Sequence, residues 1–346
     1  MTGLARRAVL CRIACAALVP FAPATGIAAR ADPWAAFKAR YLAPEGRIVD
    51  TGNGGISHSE GQGYGMLLAE AADDRAGFDL IWRWTGATLT RADDGLFSWR
   101  FDPAAALPVA DPNNATDGDL LIAWALTRAA GRWRAPAYEA AARRILAAVA
   151  ARLLVETAIG PVLLPGLEGF RNGGTVTLNP SYWVWPALRA FAAADPTGPW
   201  AATATAGGKL LDASGFGQAR LPTDWVDLDA AGAAAPAAGR PPRFGFDAVR
   251  VPLYLAWAGE RSRLASFEAL WRPVLRRRAR PPAWIDVLTG ETAPYAASPG
   301  VTAAASWICG LEAPPGAPAG DYYSDVLAAL TTLAKREAGL SPSPAG

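Results

Sequence analysis

Apolar residues return every three to four positions through most of this chain, the period of helices that bury one face. The first such run, Pro33 to Leu42, is closed by Pro44-Glu45-Gly46. A glycine-rich polar loop from Arg47 to His58 follows. The spacing then predicts a helix from Glu60 to about Ala72, with Ser59 as its cap, and another from about Arg75 to Thr90. The second carries Phe78, Ile81, Trp82 and Leu89 on one face. Asp93-Asp94-Gly95 reads as a turn, and Leu96 to Phe101 as a short strand. Further helices are predicted from Ala115 to Ala130, Ala135 to Glu156, Pro180 to Ala193 and Trp200 to Ala213. Four more follow, from Asp247 to Ala258, Arg261 to Leu275, Val301 to Leu311 and Asp321 to Ala338. Gly/Pro-rich sequence between Gly160 and Thr177 predicts a β-hairpin holding Leu163 and Phe170, and Ala230 to Pro242 reads as a mobile loop. On the order of ten helices is far above the base rate, and no strand–helix alternation supports a parallel sheet. Helices recurring in pairs predict an all-α array of hairpins closed into a barrel.

The first thirty or so residues break this pattern. Arg6-Arg7 precede an apolar run from Ala8 to Ala24, and small residues follow at Ala29 and Ala31. That is the order of a secretory signal, with cleavage expected after Ala29 or Ala31, and the paired arginines also fit a twin-arginine signal. Pro20, Pro23 and Arg12 argue against a permanent membrane anchor. The expected organisation is a signal peptide over 1–31, one domain over 32–340 and a disordered tail over 341–346. Cys11 and Cys15 fall in the signal, so the mature chain keeps only Cys309, with no internal disulfide and no cysteine metal site.

Composition narrows the function classes. Of 346 residues, 51% are hydrophobic and 18% charged, a globular balance. The net charge of +2 is spread without a basic run, which argues against nucleic acid and anionic membrane surfaces as partners. Fourteen Trp is a high count; aromatic faces are platforms for sugar rings as well as core residues.

A single histidine, His58, excludes a His-rich metal site, and loop packing is its simplest role. A nucleophile elbow, a Walker A loop and a Rossmann fingerprint are all missing. Acid–base work therefore falls to carboxylates, and three stand in unusual settings. Glu60 lies among three glycines in Ser59-Glu60-Gly61-Gln62-Gly63-Tyr64-Gly65-Met66, glycines that would let a ligand approach the backbone. Asp117 lies in Ala115-Thr116-Asp117-Gly118-Asp119, and Asp247 in Phe246-Asp247-Ala248-Val249-Arg250. Each could equally be a helix cap or first-turn residue, the reading kept for Asp119, and Asp247–Arg250 could be an ordinary i,i+3 pair. Glycosidic hydrolysis needs a protonated carboxylic acid beside the leaving oxygen and an ionised carboxylate opposite. Glu60 in an apolar setting and Asp247 beside Arg250 would supply those two states.

These stretches together resemble glycoside hydrolase family 8, and within it the endo-β-1,4-glucanases associated with bacterial cellulose synthesis. Ala115 to Leu126, continuing to Trp133, matches the family signature, with Thr127 departing from a position usually apolar. The Glu60 stretch matches the segment bearing the general acid. Phe246 to Val251 resembles the segment bearing the general base, with Phe246 where tyrosine is usual. Asn179-Pro180-Ser181-Tyr182 matches a further family segment. The matches run in family order from about Trp34 to Leu330.

The resemblance implies an (α/α)6 barrel of six helical hairpins with short β-hairpin insertions, and hydrolysis with inversion at the anomeric carbon. By position, Glu60 is the acid, Asp247 the base, and Asp117 a residue that grips and distorts the sugar. Tyr182 and Arg250 would support the base and its water. Trp99, Tyr64 and Tyr322 are expected to meet substrate, with Tyr323 close by, while Trp183, Trp185 and Trp257 read as core. No metal and no cofactor are expected. The expected protein is an exported monomer, periplasmic or secreted, acting on β-1,4-glucan chains with a functional link to a cellulose synthase complex. Chitosan, xylan or mixed-linkage glucan is the alternative substrate, and a polysaccharide-binding protein without catalysis the alternative class.

Overall fold

The computed structural model describes residues 33–314 and 320–340. The signal segment 1–31 and the tail 341–346 lie outside the described residues. Helices dominate: α1 (Pro33–Tyr41), α2 (Ser59–Ala71), α3 (Arg75–Thr88), α4 (Thr116–Trp133), α5 (Pro136–Arg152), α6 (Trp185–Ala194), α7 (Trp200–Ala213), α8 (Arg250–Trp257), α9 (Ala265–Arg276), α10 (Pro299–Ile308) and α11 (Tyr322–Leu340).

Their packing closes on itself. α2 packs on α4, α4 on α6, α6 on α8, α8 on α10, α10 on α11, and α11 returns to α2. Around this inner ring α3 backs α2, α5 backs α4, α7 backs α6, α9 backs α10, and α1 lies on α11 and α2. The sequence explains the two layers. In α8 all residues from Arg250 to Trp257 are buried, and α2 is buried from Gly61 to Glu70. α3 instead buries only Gly77, Phe78, Ile81 and Thr85, the single face expected of an outer helix. This is the barrel of helical hairpins expected from the sequence, an (α/α)6 architecture.

The joint between α2 and α4 is close-packed. A Cβ on Gly63 would lie 2.5 Å from that of Leu121, and one on Gly118 would overlap Ser59 Oγ. Gly61 and Gly65 are likewise covered, by Tyr322 and His58 and by Ile48 and Ile81. The glycines of the Glu60 stretch therefore serve helix packing and leave no space for a ligand, which corrects the expectation above. The cap also differs: His58, not Ser59, precedes α2, and its Nδ1 accepts the Gly61 N–H at 3.0 Å.

Strands are short and sit between helices. Leu154–Thr157 and Gly160–Leu163 form a hairpin. Arg171–Asn172, Thr175–Leu178, Val226–Leu228 and Ala234–Pro236 form a four-stranded antiparallel sheet, with Thr177 opposite Asp227. The stretch Ala230–Pro242 thus carries an edge strand, where composition alone suggested a mobile loop. The predicted strand Leu96–Phe101 shrinks to Arg100–Phe101, which pairs with Ser57–His58.

Candidate active site

The inner helices present their N-terminal ends at one mouth of the barrel, and the candidate residues collect there. Glu60 lies in the first turn of α2, Asp117 in the first turn of α4, and Arg250 begins α8. Asp247 is not helical; it sits in the turn before α8. Ser181 and Tyr182 occupy a 3-10 turn, Pro180–Tyr182, just before α6. Helix N-termini carry partial positive charge, which is where a fold can hold several carboxylates at least cost.

One guanidinium joins them. Arg250 Nη1 ion-pairs with Glu60 Oε1 and lies 3.5 Å from Asp117 Oδ2, while Nη2 donates to Asp247 Oδ1 at 2.8 Å and to Ser181 Oγ at 2.8 Å. Glu60 and Asp247 thus hang from different nitrogens of one planar cation and are kept apart by it. Arg250 is 4% exposed, whereas the Asp247 side chain keeps 34%. Glu60 Oε1 also accepts the Tyr64 hydroxyl at 3.1 Å, and Tyr64 shares a 2.7 Å hydrogen bond with Tyr254. His58 completes the surround: Nδ1 caps α2, and Nε2 faces Asp50 Oδ2 at 3.4 Å.

Burial first, and like charge second, raises the proton affinities of the site. Burial pushes Asp117 up to about 7, against the Gly118 N–H that its Oδ1 accepts. Asp247 is pushed up to about 8, first by burial and then by the charges of Asp224 and Asp117, with Asn179 and Arg240 acting in the opposite direction. The expectation that Arg250 alone keeps Asp247 an ordinary charged carboxylate is therefore revised. A guanidinium shared three ways does not offset burial plus two like charges.

The remaining site residues divide by exposure. Trp99 is half-buried beside the start of α2; its carbonyl accepts the Ser59 N–H at 3.0 Å and its indole donates to Asp111 at 2.7 Å. Tyr182 is half-buried, edge-on to Trp225. Tyr64 and Tyr322 differ from the expected substrate contacts, because both rings are enclosed in the core. Tyr64 braces Glu60 from beneath, and Tyr322 packs edge-on against His58. Trp183, Trp185 and Trp257 are buried, as read from their spacing. Asp119 is also buried; it accepts from the Phe97 N–H and the Asn114 amide.

Sequence reading missed Asp224 and Trp225. Asp224 Oδ1 accepts the N–H groups of Gly245, Asp247 and Ala248 at 3.0, 3.1 and 2.8 Å. Trp225 stacks on Phe170 and carries Arg240 over its ring at 3.9 Å. Beside Asp247 opens a cleft of about 680 Å³, lined among others by Asp50, Phe246, Tyr295, Asp321 and Tyr323. Phe246 and Tyr295 stand exposed on it, as a large apolar ring does where a flat ligand is expected.

A helical barrel whose mouth gathers carboxylates around one buried arginine, rimmed by aromatic faces, is the arrangement of a glycoside hydrolase. Comparison with known proteins makes the family definite: the model of glycosyl hydrolases family 8 matches residues 8–337. A probable endoglucanase of Novacetimonas hansenii is 46% identical over 316 residues, covering 89% of this chain and 91% of that protein. The solved family 8 endoglucanase of Klebsiella pneumoniae superposes with a TM-score of 0.84 at 45% identity, covering 88% of this chain and 99% of that one. The endo-beta-1,4-glucanase of Acetobacter xylinum gives 0.84 at 44% identity, with 89% and 98% covered. The chain belongs to glycosyl hydrolases family 8.

Proposed function

We propose that this protein is an endoglucanase that cleaves β-1,4-glucan by single displacement with inversion. The observation that carries the reading is the Arg250 guanidinium, which ties Glu60, Asp117 and Asp247 from three separate elements into one group. Glu60, paired with Arg250 and not in the apolar setting expected, gives its proton to the glycosidic oxygen of the departing chain from Oε2, because Oε1 is held by Arg250 and Tyr64. Asp247, its side chain a third exposed, takes a proton from a water that attacks the anomeric carbon from the opposite face. Its raised proton affinity makes its deprotonated form a stronger base than an ordinary aspartate. Asp117, buried and facing the same guanidinium nitrogen as Glu60, holds the sugar hydroxyls at the point of cleavage and strengthens that grip as the ring flattens. Tyr182 shares this mouth, and Trp99 and Phe246 offer faces to neighbouring glucosyl units. Tyr64 and Tyr322 act through Glu60 and His58 and do not touch substrate.

The similarity to endoglucanases that span nearly the same length supports the glucan assignment. Export, by the Arg6-Arg7 segment, and action on chains delivered by a cellulose synthase are part of the proposal. Among the described residues no helix is long and apolar enough to cross a membrane. Hydrolysis of carboxymethyl cellulose, lichenan, xylan and chitosan side by side tests the substrate, and carboxymethyl cellulose is expected to be cut fastest. An NMR time course of the first product is expected to show the α-anomer; initial appearance of the β-anomer would remove Asp247 from the role of water-activating base.

A further inference from the structure

Asp224 has no place in the acid–base scheme above, yet it is built into the site more firmly than Asp247 is. It lies in the turn before Val226–Leu228, and its own N–H is bonded to the Arg243 carbonyl at 2.8 Å. One of its carboxylate oxygens takes three backbone donors from the segment Gly245 to Ala248. The segment is shaped to it, since a Cβ on Gly245 would come within 2.6 Å of the other oxygen. Three N–H groups converging on one oxygen form a nest for an anion, and here the anion is a side chain of the same protein.

We propose that Asp224 is a positioning residue of the hydrolysis, whose charged carboxylate both fixes the backbone of Asp247 and acts electrostatically on the Asp247 side chain. The inference rests on Asp247 being the base. The three donors favour the ionised form of Asp224, so negative charge settles there first and Asp247 must ionise against it. Asp224 sits at about 6, below the value of about 8 for Asp247, in agreement with that order. The other charged groups facing Asp247 are Asp117 on α4, Arg240 after the edge strand and Arg250 on α8. The neighbouring Tyr182 and Tyr323 are raised and stay neutral in the working range. Arg243 faces Asp224 itself. Removing the Asp224 charge leaves the two cations acting against Asp117 alone, so the affinity of Asp247 for its proton should fall.

Asp224→Asn keeps the accepting oxygen and removes only the charge. Its acidic limb of kcat/KM on carboxymethyl cellulose should move down by about one pH unit and kcat should fall about tenfold, with the thermal midpoint and KM little changed. Asp224→Ala also loses the three backbone bonds, and its kcat should fall further, by about a hundredfold. A pH profile of Asp224→Asn that superimposes on the wild type, or an Asp224→Ala enzyme with wild-type kcat, would overturn the inference. Asp247→Asn run in parallel separates the two levels. If that variant stays active the base assignment itself fails; if it is inactive while Asp224→Asn is unshifted, only the role of Asp224 fails.

Discussion

At the scale of single residues, the site is a problem of too few cations. Glu60, Asp117, Asp224 and Asp247 share one mouth with the buried guanidinium of Arg250. Replacing Glu60 by Gln keeps the Tyr64 contact but removes the transferable proton. Its kcat on carboxymethyl cellulose should fall by roughly 10²–10⁴-fold with a small change in KM. Residual activity near wild type would take the acid role from Glu60. Arg250→Lys is the sharper test of the shared cation. An ammonium is a point charge and cannot present separate nitrogens to Glu60 and Asp247 while also bonding Ser181. The loss expected is about a hundredfold in kcat, measured with the same substrate, because the proposed acid and base lose their common anchor. The grouping was legible mainly through the family resemblance: Glu60, Asp117, Asp247 and Arg250 stand in motifs similar to the family's, although each carboxylate by itself reads equally as a helix cap or first-turn residue. Asp224 was not, because what defines it is three N–H groups from residues 245, 247 and 248, which only folding brings to it.

At the scale of elements, the joint between α2 and α4 decides how accurately Glu60 and Asp117 are placed relative to each other. Gly63 against Leu121, and Gly118 against Ser59, allow the backbones to approach as closely as they do. Gly118→Ala should cost about 1–3 kcal/mol in a urea or guanidinium melt, and its kcat should drop more than the stability loss alone explains. By contrast Gly131→Ala, where a Cβ meets nothing within 4 Å on the same helix, should be neutral or slightly stabilising. The far ends of these helices are tied by charge. Glu70 on α2 is 3% exposed and accepts from Arg128 at 2.7 Å and Arg132 at 2.5 Å, both on α4, while Arg128 also reaches Glu337 on α11. Glu70→Ala leaves Arg128 paired with Glu337 and releases the more exposed Arg132, so it should cost only about 1–2 kcal/mol by the same melt. Helices of this kind were readable because their apolar period is long and regular; α7 was predicted with the bounds it has. The glycines of α2 were read wrongly because a sequence shows a missing side chain but not what presses against the gap. Ala230–Pro242 misled for a related reason: Ala234–Pro236 is held as an edge strand by backbone bonds to Val226–Leu228 that its composition does not encode.

For the whole molecule, the carboxylates of the mouth and of α4 make folding depend on pH in a direction opposite to that of a typical salt-bridged acid. Burial raises Asp117 to about 7 and Asp119 to about 8, and Asp224 and Asp247 are raised as well. In the unfolded chain each returns to the ordinary value near 4. Between those limits the folded state binds more protons than the unfolded state, so stability is greatest at the acidic end and declines as pH rises toward 8. The lowered groups do not cancel this. Asp74, held down by the Lys38, Gly77 and Trp34 hydrogen bonds, and Asp286, held down by backbone N–H groups, contribute stability that is complete above about pH 4 and is lost only below it. The Cys309 thiol and the raised tyrosines titrate above the window. The thermal midpoint should therefore fall between pH 5.5 and 8.5, read by differential scanning calorimetry at constant ionic strength. Asp117→Asn removes a buried carboxyl that must otherwise ionise in that window, so its midpoint should fall less steeply and lie above the wild type at pH 8.5. The same variant should be nearly inactive. A buried acid that weakens the fold at the pH where its removal would stabilise it most fits the binding role proposed for Asp117 at the point of cleavage, because a site that is relaxed without substrate has nothing left to gain from gripping it.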